Sequence, residues 1–287
     1  MLETIAGAQV ARTPVEVRAW TEKMRAAGKR TALVPTMGAL HAGHMTLVDA
    51  AREHADAVVV SIFVNPLQFG PKEDFSAYPR PFEHDCALCA AKGVDLIYAP
   101  TPATMYPPGF QSHVEVEQLT QGLCGAARPT HFRGVTTVVL KLLNIVLADV
   151  AVFGEKDYQQ LQTLKRMALD LDHPTAILGA PIAREPDGVA MSSRNVYLSA
   201  AERQAAPAIV QSLRAAQARV HAGERDASRL VAQISAAQTA AGGRIDYVQI
   251  VDPQTLQPIE TLEKTARVIV ATWFGRARLL DNMDLLI

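Results

Sequence analysis

The chain has 287 residues, of which 49% are apolar and 20% are charged, and its 28 basic and 29 acidic side chains leave a formal net charge of -1. This composition excludes a disordered tail protein, a collagen-like fibre and a disulfide scaffold, and the length predicts about two domains. Because no block of Lys and Arg supplies a broad positive field, nucleic acid is not expected as the main partner.

The cysteine count and the first residues indicate the compartment. Three cysteines in a chain of this length favour reduced thiols in the cytoplasm, and the first twenty residues lack the apolar core of a signal peptide. The most apolar window, residues 135–153, approaches the ~20 residues of a bilayer span but contains Lys141, Asn144 and Asp149. We therefore expect a cytoplasmic protein without a membrane segment.

Short apolar runs alternate with stretches of helical period through the first part of the chain. The predicted strands are 31–34, 57–64, 94–98, 150–153 and 176–178, and the predicted helices are 43–54, 82–92, 131–147 and 158–171. The strand runs are continuously apolar, which is typical of strands covered on both faces. Strand and helix in alternation predict right-handed crossovers and a doubly wound parallel sheet, a Rossmann-like α/β fold.

The character of the sequence changes after about Glu185. Two Ala-rich helices are predicted at 199–220 and 227–241, followed by strands at 247–251 and 266–272. We expect residues 1–180 to form the Rossmann-like domain and residues 181–287 to form a smaller α+β lid domain. A crevice between two such domains would be available to a ligand.

The turn after the first predicted strand carries the strongest local signal, PTMGALHAGH at residues 35–44. Gly38 and Gly43 allow close approach of the backbone, and a helix start with unpaired N–H groups predicts an anion site. His41 and His44 lie three residues apart, where they could hydrogen-bond phosphate oxygens. The turn has neither the Walker pattern nor GxGxxG. The alternative is that both histidines cap the helix or pack in the core, and zinc would need further ligands.

Two other polar segments are candidates for phosphate binding. The tetrapeptide 154–157, GEKD, follows a predicted strand, so that Lys156 and Asp157 would lie at the carboxyl edge of the sheet. The segment 191–195, MSSRN, offers hydroxyls, backbone donors and the guanidinium of Arg194. An exposed salt-bridged loop and a polar turn before the helix at Ser199 are the respective alternatives.

Two more sequence features carry chemistry. Residues 65–69, NPLQF, follow a strand end. The side-chain amides of Gln68 and Gln160 could bind the same hydroxy acid, although such amides are also common in loops. Cys86 and Cys89 form a CxxC inside a predicted helix with no second pair. We expect these two cysteines to pack in the core and keep redox or zinc chemistry as the alternative.

Five motifs occur together in one order between about residues 30 and 200. They are PTMGALHAGH, FVNPLQFG, ARPTHFRGV, FGEKDYQQLQ and DGVAMSSRNVYL, and WFGRARLLDN follows near the end. In these motifs the chain resembles the pantoate-β-alanine ligase family, whose members are pantothenate synthetases. That family is part of the HxGH nucleotidyltransferase superfamily, which is related in fold to class I aminoacyl-tRNA synthetases.

The resemblance implies a reaction. Members of the family condense pantoate with β-alanine through a pantoyl adenylate, using ATP and Mg²⁺ and releasing AMP and pyrophosphate, and the product pantothenate is a coenzyme A precursor. The resemblance also implies a homodimer with small-molecule substrates only.

The resemblance implies roles for individual residues. His44 and His41 would act at the phosphates, Lys156 would stabilise the transferring α-phosphate, and Arg194 would complete a mobile phosphate clamp. Gln68 and Gln160 would bind pantoate, and Gln68 would also contact β-alanine. The implied ATP-binding residues are Met37, Gly38, His41, Gly43, His44, Gly154, Lys156, Asp157, Ala183, Met191, Ser192, Ser193 and Arg194.

The sequence departs from the family pattern at two places. His84-Asp85 stands where many relatives have adjacent acidic residues, so that a metal contact would depend on Asp85 alone. Thr130 replaces the usual glycine after Arg128-Pro129, in a loop near the expected mouth of the active site.

Two other functions stay open. Another HxGH nucleotidyltransferase would transfer a nucleotide to a phosphorylated acceptor, for which an extra basic contact would be expected. A non-catalytic nucleotide-binding relative is opposed by the presence of His41, His44, Lys156 and Arg194. An aminoacyl-tRNA synthetase is disfavoured, because nothing after Glu185 resembles an anticodon-binding domain.

Overall fold

The computed structural model describes residues 2–71, 73 and 75–287. By its internal contacts the chain divides into two units. The first unit comprises residues up to Glu155 together with 160–180, and the second comprises residues 156–159 and 181–287.

The first unit alternates strands and helices. Its elements are β1 (Glu3–Ile5), β2 (Ala8–Ala11), α1 (Pro14–Ala26), β3 (Thr31–Thr36), α2 (Ala42–Arg52), β4 (Ala57–Ile62), α3 (Phe82–Ala91), β5 (Leu96–Tyr98), α4 (Pro102–Met105), α5 (Leu123–Ala127), α6 (His131–Val146), β6 (Val150–Gly154), α7 (Tyr158–Asp170), which begins in residues of the second unit, and β7 (Ala176–Ala180).

These strands form one seven-stranded sheet in the order β1-β2-β5-β4-β3-β6-β7. Only β1 and β2 pair antiparallel, and all other neighbours are parallel. From β3 the chain passes to β4 on one side and later to β6 on the other, so the strand order reverses at β3. In open α/β sheets ligands bind at the carboxyl ends of the strands beside such a reversal.

Helices cover both faces of this sheet. Leu33, Val59 and Ala151 point into one apolar cluster, which also contains buried side chains of α1, α6 and α7. Their neighbours along the strands point into a second cluster that contains side chains of α2 and α3. The central strands are therefore buried on both faces, which is why their sequences are continuously apolar.

The second unit is built around three antiparallel strands. Its elements are a 3₁₀ helix (Ser193–Tyr197), α8 (Ala200–Ala205), α9 (Ala208–His221), α10 (Ala227–Ala240), β8 (Arg244–Val251), β9 (Ala266–Phe274) and β10 (Ala277–Leu285). The sheet order is β10-β9-β8, and α9 and α10 contribute to its apolar core.

The predicted fold class, a doubly wound parallel sheet with a smaller α+β part, is confirmed. Several details differ. The helix predicted at 199–220 is two helices, α8 and α9, since Pro207 between them has no N–H to continue the ladder. The strand β10 was not predicted, and β5 begins at Leu96 rather than Val94. The elements β1, β2 and α1 were not predicted either.

The predicted packing role of Cys86 and Cys89 agrees with their position on α3. Both side chains are fully buried in the cluster that α3 shares with the sheet. Burial raises the pKa of both thiols, that of Cys89 to about 12, so neither forms a thiolate readily. Among the residues that the structure describes, no helix is both long and apolar enough to cross a membrane.

Candidate active site

The predicted anion turn lies between β3 and α2, at the carboxyl end of the strand where the strand order reverses. His41 is the N-cap of α2, and its Nδ1 accepts a hydrogen bond from the N–H of Gly43 at 3.1 Å. The N–H of His41 donates in turn to Nδ1 of His44 at 3.3 Å. The two rings lie with centroids 4.1 Å apart. The histidines therefore form a reciprocal capping box, and the alternative that they cap the helix is correct as far as it goes.

Capping determines which ring nitrogen carries the proton. Since a backbone N–H donates to Nδ1 of each ring, Nδ1 is unprotonated and the neutral imidazole carries its hydrogen on Nε2. Both rings are half-buried. Each ring is thus held as an Nε2–H donor at a helix start, which suits an anionic oxygen.

Asp85 holds the loop that precedes the histidines. Its carboxylate is 1% exposed and accepts hydrogen bonds from the N–H groups of Ala39 at 2.9 Å and Leu40 at 2.8 Å. Gly38 and Ala39 have φ values of 81° and 51°, and a Cβ on Gly38 would lie 2.9 Å from the Asp85 carboxylate. Gly38 is therefore required for both its left-handed backbone and the close approach of Asp85.

Asp85 is the predicted metal ligand, and in the structure its carboxylate contacts backbone groups. Both of its oxygens already accept backbone N–H groups, and burial raises its pKa although those hydrogen bonds oppose the shift. The described part of the chain contains no group of three or more His, Cys, Asp or Glu that could hold a metal ion. Asp85 therefore holds the loop, and its role as a metal ligand stays a prediction.

A second polar group lies at the end of β4. Residues Pro66–Gln68 form a 3₁₀ turn capped by Asn65, and the Nε2 of Gln68 donates to Sδ of Met37 at 2.8 Å. Two residues of the predicted site, Gln68 and Met37, are thus brought into contact. A Cβ on Gly134 would lie 2.2 Å from the carbonyl oxygen of Leu67, so α6 can approach this turn only through a glycine.

An ionic cluster holds the same turn from its other side. The guanidinium of Arg128 donates to both oxygens of Glu73 and to the carbonyl of Gln68 at 3.2 Å. The ring of His131 lies 2.9 Å from the same carbonyl. The ion pair with Arg128 outweighs burial and lowers the pKa of Glu73. Arg128 and His131 lie in the motif ARPTHFRGV, but nothing in the sequence indicated that they meet Gln68.

Two further predicted residues belong to the first unit. Gly154 ends β6, and a Cβ on it would lie 3.8 Å from the Leu47 side chain of α2, so this end of β6 lies beside the helix that His41 caps. Gln160 is half-buried in the first turn of α7. Its convergence with Gln68 on one ligand stays a prediction.

Lys156 and Asp157 belong to the second unit, in a 3₁₀ turn between β6 and α7. The Lys156 side chain is 25% exposed, and its Nζ lies 3.8 Å from the Asp157 carboxylate, at the limit of an ion pair. The backbone of Lys156 is held more firmly, because Nδ2 of Asn282 donates to its carbonyl oxygen at 3.0 Å. The fold therefore holds Lys156 mainly through its backbone, and its role at a phosphate stays a prediction.

The segment 191–194 follows a short hairpin in the second unit. The N–H of Met191 donates to the carbonyl of Ala183 at 2.9 Å, and Ser192 Oγ accepts from the N–H of Arg194 at 3.2 Å. Arg184 in this hairpin makes a bidentate ion pair with Asp281 at 2.7 and 2.8 Å. The side chains of Ser193 and Arg194 are half-buried.

The supports of both second-unit segments come from WFGRARLLDN. Asp281 and Asn282 are neighbours on β10 and are 2% and 1% exposed, and they reach the Arg184 hairpin and the Lys156 carbonyl respectively. Adjacent strand residues point to opposite faces, so one dipeptide can support two separate segments. The motif could be recognised in the sequence, but its role in holding these two segments could not.

Comparison with known proteins places these motifs. The sequence model of a family described as Pantoate-beta-alanine ligase matches residues 9–284. A pantothenate synthetase of Myxococcus xanthus is 53% identical over 96% of this chain and 96% of its own length. One from Heliobacterium modesticaldum is 53% identical over 93% of this chain and 96% of its own.

Solved structures agree with the sequence matches. A pantothenate synthetase of Thermus thermophilus superposes with a TM-score of 0.91 at 45% identity, covering 97% of this chain and 99% of the other. A pantoate-β-alanine ligase of Francisella tularensis, complexed with β-γ ATP and β-alanine, has a TM-score of 0.79 at 31% identity, covering 98% and 97%. The resemblance and the enzyme class predicted from the motifs are confirmed. This chain belongs to the pantoate-β-alanine ligase family.

Proposed function

We propose that the chain condenses pantoate with β-alanine at the expense of ATP, through an enzyme-bound pantoyl adenylate, to give pantothenate, AMP and pyrophosphate. Ligation of pantoate and β-alanine is the activity of the family to which it belongs. The observation that carries the proposal is the pair of Nε2–H imidazoles, His41 and His44, at the carboxyl end of β3. Such a pair serves a nucleotide phosphate at the place where α/β sheets bind nucleotides.

The chemistry has two steps. The pantoate carboxylate attacks the α-phosphorus of ATP, an O–P bond forms, and the bond to the β-phosphate oxygen breaks so that pyrophosphate leaves. The amine of β-alanine then attacks the activated carbonyl, loses a proton and expels AMP. An ionised carboxylate has no viable leaving group of its own, so adenylation is required.

In the first unit, the nucleotide phosphates would meet the turn that Asp85 holds in place. We propose that Met37, Gly38, Gly43 and Gly154 contact ATP through their backbone or close packing. His41 and His44 donate to phosphate oxygens, and His44 stabilises the departing pyrophosphate. Positioning and charge stabilisation account for most of the catalysis of phosphoryl-type transfer.

In the second unit, the proposed roles follow the family motifs. Lys156 stabilises the charge on the transferring α-phosphate, and Asp157 and Ala183 hold the nucleotide. Met191, Ser192, Ser193 and Arg194 form a phosphate clamp. The firmly held backbone of Lys156 supports this role, since its side chain remains available. We also propose that residues 181–287 act as a lid on the domain 1–180.

Pantoate recognition is proposed for Gln68 and Gln160, with Gln68 also contacting β-alanine. Amide groups can hydrogen-bond a hydroxyl or carboxylate without adding a charge that would compete for phosphate. Mg²⁺ would accompany ATP on its phosphate oxygens, since Asp85 is engaged by backbone groups. We further propose that the protein is cytoplasmic and that it forms a homodimer. Sedimentation of the purified protein would test the oligomeric state.

The test is pyrophosphate exchange into ATP. We expect exchange to require pantoate and to proceed without β-alanine. We expect AMP release only when both pantoate and β-alanine are present. Exchange that instead required a phosphorylated acceptor would identify another nucleotidyltransferase. Binding of ATP with no exchange under any condition would identify a non-catalytic relative.

A further inference from the structure

The amide of Asn65 has only one possible orientation. Its Oδ1 accepts a hydrogen bond from the N–H of Leu67 at 3.2 Å, and its Nδ2 donates to the carbonyl oxygen of Gly134 at 3.0 Å. Both partners are backbone groups, which cannot exchange the roles of donor and acceptor. Asn65 is 1% exposed, so turning its amide over would bury two mismatched polar pairs.

The orientation of Asn65 determines that of Gln68. Nδ2 of Asn65 also donates to Oε1 of Gln68 at 3.1 Å. With its carbonyl oxygen occupied, Gln68 directs Nε2 away from Asn65, toward Sδ of Met37. A thioether sulfur is a weak acceptor, so a ligand oxygen placed there would replace it at little cost. Gln68 therefore offers an N–H, not a carbonyl, to its ligand.

Tyr106 adds a third side chain to this series of hydrogen bonds, on the other side of Asn65 from Gln68. Its hydroxyl donates to Oδ1 of Asn65 at 2.8 Å, and its ring packs against Phe63 and Phe110 with centroid distances of 6.1 and 5.0 Å. Burial raises the pKa of Tyr106, so the hydroxyl keeps its proton and stays a donor. Because Leu67 and Gly134 fix Oδ1 of Asn65 on the side of Tyr106, the hydroxyl donates here, and this bond helps to hold the Asn65 amide in the orientation that the backbone imposes.

We propose that Tyr106 is a positioning residue that acts through Asn65 to present the N–H of Gln68 to the ligand, so that the site selects an acid with an acceptor oxygen at this position. This inference rests on the proposed function, in which Gln68 binds pantoate. A reversed Gln68 would place its carbonyl oxygen against the pantoate carboxylate, and the two acceptors would repel each other. The backbone thus sets the polarity of the subsite through Asn65 and Gln68, and the Tyr106 hydroxyl holds Asn65 in place.

The experiment compares Tyr106→Phe with the wild type. This variant keeps the ring and its aromatic contacts and removes only the hydroxyl. The KM for pantoate in pyrophosphate exchange is expected to rise about fivefold, the usual effect of one lost hydrogen bond, while the KM for ATP stays unchanged. Tyr98→Phe is the matched control, because the Tyr98 hydroxyl is also buried but contacts Met105.

Calorimetric binding of pantoate and of its neutral amide tests the polarity directly. The wild type should prefer pantoate, and Tyr106→Phe should narrow that preference. Asn65→Asp offers Gln68 an acceptor in place of a donor, so Gln68 should turn over and the preference should shift toward the amide. Thermal melting of each variant establishes that it is folded.

The outcomes separate the two claims. Unchanged pantoate KM and unchanged ligand preference in Tyr106→Phe, in a protein that does bind pantoate, would overturn this inference alone. An equal rise in the KM for ATP would also overturn it, since a general disturbance of the fold by the substitution would then explain the rise in the KM for pantoate. Failure of the wild type to bind pantoate at all would remove the proposed function and the inference with it.

Discussion

The N–H of His41 donates to Nδ1 of His44, so the first histidine positions the ring of the second. One contact thereby joins helix capping to the proposed catalytic role of His44, two roles that the sequence presented as alternatives. Capping contributes little to the stability of the fold, since an N-cap is worth about 1 kcal/mol. A hydrogen-bond donor at a charge that develops in the transition state is expected to raise the rate by about two decades. Substitutions can therefore separate the two roles.

Replacement of His44 by Ala is expected to lower kcat for pantoate-dependent exchange by about two decades and the free energy of unfolding by about 1 kcal/mol. Urea titration and exchange kinetics measure the two quantities. Thr46→Ala is a matched control, because Thr46 lies in the same helical turn, is exposed and only bonds the carbonyl of Gly43. A core role for His44 would be indicated if stability fell by several kcal/mol along with the rate.

Lys156→Ala should leave stability nearly unchanged and slow adenylate formation by about two decades or more. The reason is that the fold holds Lys156 by its carbonyl, which the substitution retains. Single-turnover formation of the adenylate measures the effect. Lys165→Ala, on the exposed side of α7, is the control for loss of one positive charge. An unchanged rate in the Lys156 variant would remove this residue from the mechanism.

The parallel strands of the sheet could be predicted because the required information is local. Strands such as β3 and β4 are buried on both faces, which leaves a continuous apolar run in the sequence. The turn with its two histidines follows β3 directly, so its place at the strand end was evident from chain order. Periodicity similarly identified α6, which carries many buried apolar side chains.

The residues that hold the site could not be predicted, because each reaches it from a distant part of the chain. Asp85 contacts Ala39 across 46 positions, and Tyr106 contacts Asn65 across 41. No periodicity encodes such pairs. β10 escaped prediction for a related reason: Asp281 and Asn282 are polar residues that the fold buries, which interrupts the apolar pattern of a strand.

Gly134→Ala tests the close approach of α6 to the Gln68 turn. A methyl group 2.2 Å from the Leu67 carbonyl oxygen cannot be accommodated without moving backbone, so a loss of about 2–3 kcal/mol in stability is expected. The KM for pantoate should rise as Gln68 moves. Gly122→Ala is the control, since nothing lies within 4 Å of its added Cβ. Equal stability of the two variants in urea would contradict the predicted steric conflict.

Asp281→Ala tests the support of the Ser192–Arg194 segment. Removal of one partner from the buried bidentate pair leaves Arg184 partly buried without its carboxylate, and a loss of about 3 kcal/mol is expected. The KM for ATP should rise as well. Asp187→Ala breaks a surface pair with Arg203, whose side chains are 40% and 35% exposed, and should cost less than about 1 kcal/mol. Similar losses in the two variants would show that burial does not strengthen the Arg184 pair.

The ion pair of Glu73 and Arg128 predicts an acid limit for the Gln68 turn. Burial favours protonation of Glu73, but the bonds to Arg128 outweigh it, so the pKa lies below the ordinary value of 4.5. A carboxylate with a lowered pKa contributes stability above the pKa of the unfolded chain and loses that contribution as the pH falls through the folded pKa. Glu73→Gln should therefore be less stable than the wild type by about 1 kcal/mol at about pH 7, and the difference should shrink as the pH is lowered below 4.5. Urea unfolding of both proteins across this range, with the exposed Glu115→Gln as control, measures it. A difference that stayed constant throughout this range would show that the charge of Glu73 does not hold Arg128 against the turn.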